Sequence, residues 1–244
     1  MKVQGRTAIV TGGASGIGRA TALALARAGA HVWIGDIDEA GAASAASAAR
    51  EEGGRADAAR LDVTDDASVA AFVARVGDRI DILVNAAGWD RAEPFLENPD
   101  GFWQRIVDLN FGGPVRLMRA VLPGMVARGA GKIVNVASDA GRVGSAGEAV
   151  YSGAKGGVIA VTKAVAREMA RHGINVNCVC PGPTDTPMFQ AQPQRLREGL
   201  VRAIPFRRLA RPEEIADAIL FFASSRADYV TGQALSVSGG LTMV

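Results

Sequence analysis

Seven short runs of β-branched and apolar residues recur along the chain with helix-length segments between them, and this alternation most constrains the fold. The runs are TAIVT (7 to 11), HVWIGD (31 to 36), ADAARLD (56 to 62), IDILVN (80 to 85), KIVNVAS (132 to 138), INVNCVC (174 to 180) and ALSVS (234 to 238). Helical periodicity falls near 16 to 29, 39 to 52, 66 to 77, 99 to 128, 148 to 172 and 212 to 223. Strands alternating with helices of that length make βαβ units, whose right-handed crossovers place successive strands in one parallel sheet. The expected fold is α/β: a doubly wound, seven-stranded parallel sheet with helices on both faces, in a single domain over 1–244.

One departure from the rhythm is informative. The Pro- and Arg-rich stretch at about 183–211 lies between the sixth strand and the last helix, where it reads as a lid or substrate loop. Its apolar residues Met188, Phe189 and Phe206 fit either loop packing or a pocket wall. Cys178 and Cys180, two apart on a strand, point to one face of the sheet, and without neighbouring ligands they read as core rather than as disulfide or metal ligands.

The balance of 27 basic against 25 acidic residues, with no basic block, argues against nucleic acid as a partner. No leader-like start and no apolar run of spanning length is visible, so the expectation is a cytoplasmic protein without a membrane partner.

At the end of the first strand, TGGASGIG sets Gly12, Gly16 and Gly18 before a helix. The G-x-x-x-G-x-G spacing differs from the usual dinucleotide fingerprint but does the same work: a tight turn, close backbone approach to a pyrophosphate, and a helix N-terminus aimed at its charge. Asp36 closes the second strand, where an acidic side chain can accept from the hydroxyls of an adenosine ribose. A carboxylate there repels a 2′-phosphate, and positions 14, 15 and 37 hold no Arg to neutralise one, so NAD is expected in preference to NADP. Asp38 suits the cap of the following helix better than Asp36 does.

The proton chemistry is expected from residues further along. NAAG (85 to 88) makes a second glycine turn at a strand end; Asn110, Ser138, Tyr151 and Lys155 follow. Tyr151 and Lys155 are four apart on a helix and share a face. A nearby ammonium favours the ionised phenol, so Lys155 is expected to lower the Tyr151 pKa toward the range useful for acid/base catalysis. Ser138 can donate to a substrate oxygen as an alcohol becomes a carbonyl.

Together TGGASGIG, NAAG, Asn110, Ser138 and YSGAK resemble the motifs of the short-chain dehydrogenase/reductase family, and CPGPTDT (180 to 186) and TGQALSVSGG (231 to 240) extend the likeness over nearly the whole chain. The resemblance implies a Rossmann fold, an NAD-linked oxidoreductase of secondary alcohols, and no metal. It implies Tyr151 as acid/base, Ser138 positioning substrate, Lys155 on the nicotinamide ribose, and Asn110 holding a relay water. Asp62 and Val63 match the pair that meets adenine, and Ser15, Ile17, Ile37, Asn85, Ala86, Gly88, Pro181, Gly182, Thr184 and Thr186 fall along the same cofactor path. Ala86 stands where the family commonly has a second Asn, so a bond bracing that turn is expected to be missing, and Thr184 replaces a usual Ile. The resemblance also implies a homotetramer, with the helices near 99 to 128 and 148 to 172 forming the interface.

For the substrate, NAAGWDRAEPF and the stretch from 122 to 157 resemble the 2-hydroxycyclohexanecarboxyl-CoA dehydrogenases and, more loosely, the 3-oxoacyl-(acyl carrier protein) reductases. An acyl-CoA thioester is therefore the expected partner, a 3-hydroxyacyl-CoA with a cyclic or branched acyl group. A free sugar, steroid or aryl alcohol is the alternative. A dinucleotide-binding sensor without turnover is the reading from another class. Arg91, Arg142, Arg195, Arg197, Arg207 and Arg208 either meet CoA phosphates or are solvated surface charges.

Overall fold

A computed structural model describes residues 3–244. All seven strands form one sheet in the order β3-β2-β1-β4-β5-β6-β7, and every pairing is parallel. They are β1 (Thr7–Thr11), β2 (His31–Asp36), β3 (Arg55–Arg60), β4 (Ile82–Asn85), β5 (Gly131–Val136), β6 (Ile174–Pro181) and β7 (Ala234–Val237). The expected runs are all present, shifted by at most a few residues at their ends.

The intervening helices are α1 (Gly16–Arg27), α2 (Glu39–Glu51), α3 (Asp66–Val76), α4 (Phe102–Val107), α5 (Gly113–Arg128), α6 (Ala140–Val143) and α7 (Ala149–Met169), followed by α8 (Pro187–Gln190), α9 (Gln194–Ala203) and α10 (Pro212–Ala223). The buried side chains fall into two main clusters. One gathers α1, α2 and α10 with Val10, Ile34 and Val134; the other gathers α3 and α5 with Ile9, Leu83 and Ile133. Alternate residues of β1 thus point to opposite layers, and both faces of the sheet are covered. Ile215 and Ile219 of α10 are fully buried, each contributing roughly 1.5–3 kcal/mol of apolar transfer.

The segment expected as one helix over 99 to 128 is interrupted by a π-helical turn, Asp108–Gly112, between α4 and α5. Pro114 has no N–H, so the ordinary bond back to the Asn110 carbonyl cannot form and the ladder shifts there. Cys178 and Cys180 are both buried, with Sγ atoms 3.8 Å apart and no disulfide. No helix among the described residues is long and apolar enough to cross a membrane.

Reversal of strand order beside β1 opens a crevice between the C-terminal ends of β1 and β4, the place where open α/β sheets bind ligands.

Candidate active site

The loop after β1 turns tightly enough that only glycine fits at two positions. A Cβ on Gly12 would lie 2.7 Å from the Ala87 Cα, and one on Gly18 would lie 2.1 Å from the Gly12 carbonyl oxygen. Ser15 sits at the N-cap of α1 in extended conformation and its side chain makes no capping bond. First-turn N–H groups of α1 therefore face outward, and the first turn carries no acidic residue. This cradle suits an anionic diphosphate.

Asp36 holds the loop in shape: its carboxylate accepts from the Ala14 N–H at 3.0 Å and from the Asp38 N–H at 3.0 Å. Each oxygen retains acceptor capacity toward the crevice. Asp38 caps α2 through Gly41 N–H, as its position suggested. Ile37 is exposed beside it. Asp62 accepts from the Thr64 backbone and hydroxyl, which hold its carboxyl below the usual range, and Val63 is buried.

The turn at 86 to 88 is braced without the missing Asn. The Thr11 hydroxyl oxygen accepts from the N–H groups of both Ala86 and Ala87 at 3.1 Å. Asn85 turns its amide inward instead, donating to Asn135 at 2.8 Å, which donates in turn to Thr162. This buried chain ties β4, β5 and α7 together. A Cβ on Gly88 would meet the Asn110 Oδ1 at 2.8 Å and the Lys155 Nζ at 3.3 Å, so the turn lies directly against these two side chains.

Asn110 is completely buried in the π-helical turn, a setting often found at functional sites. Its amide donates to the carbonyls of Trp89 (2.8 Å) and Ile106 (3.0 Å), and its Oδ1 accepts from the Trp89 N–H at 3.3 Å. The side chain thus clamps the loop after β4 to the helix.

Ser138 follows β5, where its hydroxyl accepts from the Ala140 N–H at 3.1 Å, and it lines the same cavity as Tyr151. Tyr151 and Lys155 are both buried on α7, the Lys155 Nζ lying 5.6 Å from the centre of the tyrosine ring and donating to the Val136 carbonyl at 2.9 Å. Contrary to the sequence expectation, the Tyr151 pKa is raised: burial dominates, Glu148 and Asp90 add to it, and only Ser138 opposes. Burial also lowers Lys155 to about 8. The i, i+4 geometry is present, but desolvation and two carboxyls outweigh it.

These groups line a cavity of about 470 Å³ together with Pro181, Gly182 and Thr184. Thr184 donates to the Gly182 carbonyl, while Thr186 caps α8 by accepting from Phe189 N–H at 3.2 Å. The segment between β6 and α10 contributes Met188, Phe189, Leu196 and Leu200, and Leu241 and Thr242 line the cavity as well. Phe206 lies outside this cavity and is exposed. Sequence reasoning missed Leu241, Thr242, Asp90 and Glu148; only the last two had a signal, as acids beside the NAAG turn and Tyr151.

None of the six arginines lines the cavity. Arg142 donates to the Ala234 carbonyl and Ser236, Arg208 pairs with Glu214 through two 2.7 Å bonds, and Arg91 pairs with Glu93 at 2.8 Å. Arg197 bonds Gln190, and Arg207 bonds the Arg202 carbonyl.

Residues 12–242 match the family model described as Enoyl-(Acyl carrier protein) reductase. The chain is 39% identical to the 3-oxoacyl-[acyl-carrier-protein] reductase of Thermotoga maritima, with 100% of each chain covered. It is 44% identical to the cis-4-hydroxycyclohexanecarboxylate dehydrogenase of Sinomonas cyclohexanicum, over 98% of this chain and 97% of that one. Among solved structures it resembles, with a TM-score of 0.95 and 36% identity over 100% and 98% of the two chains, a protein of Agrobacterium tumefaciens named for gluconate dehydrogenase activity.

Proposed function

The chain belongs to the short-chain dehydrogenase/reductase family and is an oxidoreductase of the secondary alcohol/ketone type, and from that premise we propose an NAD-linked dehydrogenase of a 3-hydroxyacyl thioester with a cyclic or branched acyl group. The observation that carries the reading is the juxtaposition, in one cavity, of the Ser138, Tyr151 and Lys155 side chains with an apolar wall of Val143, Met188, Phe189, Leu196 and Leu200.

In this reading the substrate oxygen lies between the Ser138 and Tyr151 hydroxyls. Tyr151 exchanges its proton with that oxygen, and Ser138 donates to it as charge develops. The buried Lys155 ammonium would hold the nicotinamide ribose and offset the charge of the ionised phenol, with the Asn110 clamp fixing the adjacent loop. A nicotinamide dinucleotide, when bound, supplies the hydride exchange. Gly12, Ser15, Gly16, Ile17 and Gly18 would hold its diphosphate, Asp36 and Ile37 the adenosine ribose, Asp62 and Val63 the adenine. Asn85, Ala86, Gly88, Pro181, Gly182, Thr184 and Thr186 would line its path to Tyr151. Asp36 favours NAD over NADP by the charge it presents to a 2′-phosphate.

A second reading, a free ring alcohol, is favoured by the arginines. With Arg91, Arg142 and Arg208 occupied by protein partners, a clamp for CoA phosphates has few free cations left. Reduced-nicotinamide absorbance separates the readings when the enzyme meets 2-hydroxycyclohexanecarboxyl-CoA, 3-hydroxybutyryl-CoA and 4-hydroxycyclohexanecarboxylate, each with NAD and with NADP. Fastest turnover of the cyclic thioester with NAD is expected. Turnover of the free acid alone moves the assignment to the ring alcohol, and faster reaction with NADP removes the Asp36 argument.

A further inference from the structure

Beside the turn after β4 the cavity carries acid without a matching base. Asp90, in the loop after β4, is only 5% exposed, yet its Oδ2 has no hydrogen-bond partner and the residue lines the cavity. Glu148 lines the same cavity, close enough for its charge to act on this carboxyl. Burial first, then Glu148, push Asp90 up to about 7, so the pair keeps a proton that isolated carboxylates would have lost.

Few charges surround the pair. α7 presents Tyr151 and Lys155, and of these Lys155 already donates to Val136. In the loop itself, Arg91 is occupied by Glu93 and lies over the Phe102 ring. Across the cavity, Asp139 accepts from Ser236. Lys155 is the sole cationic side chain lining the cavity among the described residues.

We propose that Asp90 and Glu148 form a specificity device that accepts an uncharged acyl carbonyl beside the reacting carbinol and turns away a free carboxylate there. Below about pH 7 the proton on Asp90 lets its unpartnered oxygen donate to a carbonyl oxygen; above it the ionised carboxyl repels a carboxylate but not an uncharged carbonyl. A carboxylate in the same place adds a further anion to a buried acidic pair with no free cation to receive it. This rests on the reading of the cavity as an acyl site, and sharpens it: the acid must be carried as a neutral thioester, ester or amide.

Calorimetry on the protein with bound NADH tests it, using cyclohexanecarboxamide and cyclohexanecarboxylate, two ligands of one shape that lack a carbinol and cannot react. At pH 8 the carboxamide should bind at least about tenfold more tightly, equivalent to one pKa unit of differential interaction. The gap should narrow as pH falls through about 7 and the pair regains its proton. In D90N, and separately in E148Q, it should shrink to about threefold or less at pH 8, with NADH binding reporting that each variant is folded. Equal affinities in the unaltered protein, tighter carboxylate binding, no binding of either ligand, or variants that weaken both ligands equally would each overturn the proposal. Thioester oxidation without a carboxamide preference would sink this inference alone; the preference without thioester turnover would sink the functional reading alone.

Discussion

Tyr151 is a phenol whose surroundings hold it protonated, through burial and the nearby Glu148 and Asp90. Its replacement by Phe removes one hydroxyl and should lower kcat by about 10²–10⁴-fold, the usual worth of a positioned acid/base, while NADH still binds. Steady-state rates alongside a fluorescence titration with NADH check this; near-normal turnover would take the proton role away from Tyr151. At Asp90 the residue scale makes a thermodynamic prediction. Its folded pKa of about 7 stands above the ordinary 3.8, so the fold binds the extra proton between those values. The associated stability is present at low pH and lost as pH rises through about 7. D90N should therefore unfold in urea like the parent near pH 4 and exceed it at pH 8, by at most about 4 kcal/mol. A difference independent of pH would show that Asp90 does not bind that proton.

Among the elements, the turn that follows β4 is tied to the end of β1 by a single hydroxyl. Thr11 accepts from two backbone N–H groups of the turn at 86 and 87, and Val at this position has nearly the same shape with no acceptor. T11V should lose about 1–3 kcal/mol from the buried donors left unsatisfied, read as a lower urea midpoint at unchanged slope, together with weaker NADH binding. Unchanged stability would mean that water replaces the hydroxyl. The π-helical turn between α4 and α5 acts at the same scale: it directs Asn110 inward, onto Trp89 and Ile106, where a regular helix would carry the side chain elsewhere. The signal for it was the GGP at 112 to 114, legible as a weak point but not as a direction.

Considered as a whole molecule, the protein exposes Trp103 and Val107 on α4 and Phe95 and Leu96 just before it. We infer that this apolar surface is covered in a homotetramer built on α4, α5 and α7. Sedimentation velocity should show a species of four chains at micromolar concentration; a monomer there would refute the assembly.

The sequence by itself determined the layering and the reaction type. Periodicities of 2 and 3.6 are local properties, so strands and helices could be read run by run, and β1 to β7 fall where those runs lie. Asn110, Ser138, Tyr151 and Lys155 were legible because a motif records spacing along the chain; the fold brings the last three to one cavity and buries Asn110 behind the loop at 86 to 89. Only the tertiary structure decided how they are tuned. Tyr151 and Lys155 are neighbours in sequence, but burial depends on every element packed over them, and it reversed the shift expected from the pair alone. Asp90, Glu148, Leu241 and Thr242, far apart along the chain, line one cavity. A chain read residue by residue carries no information on dielectric or on distance across the sheet, and these set which charges this protein tolerates beside its substrate.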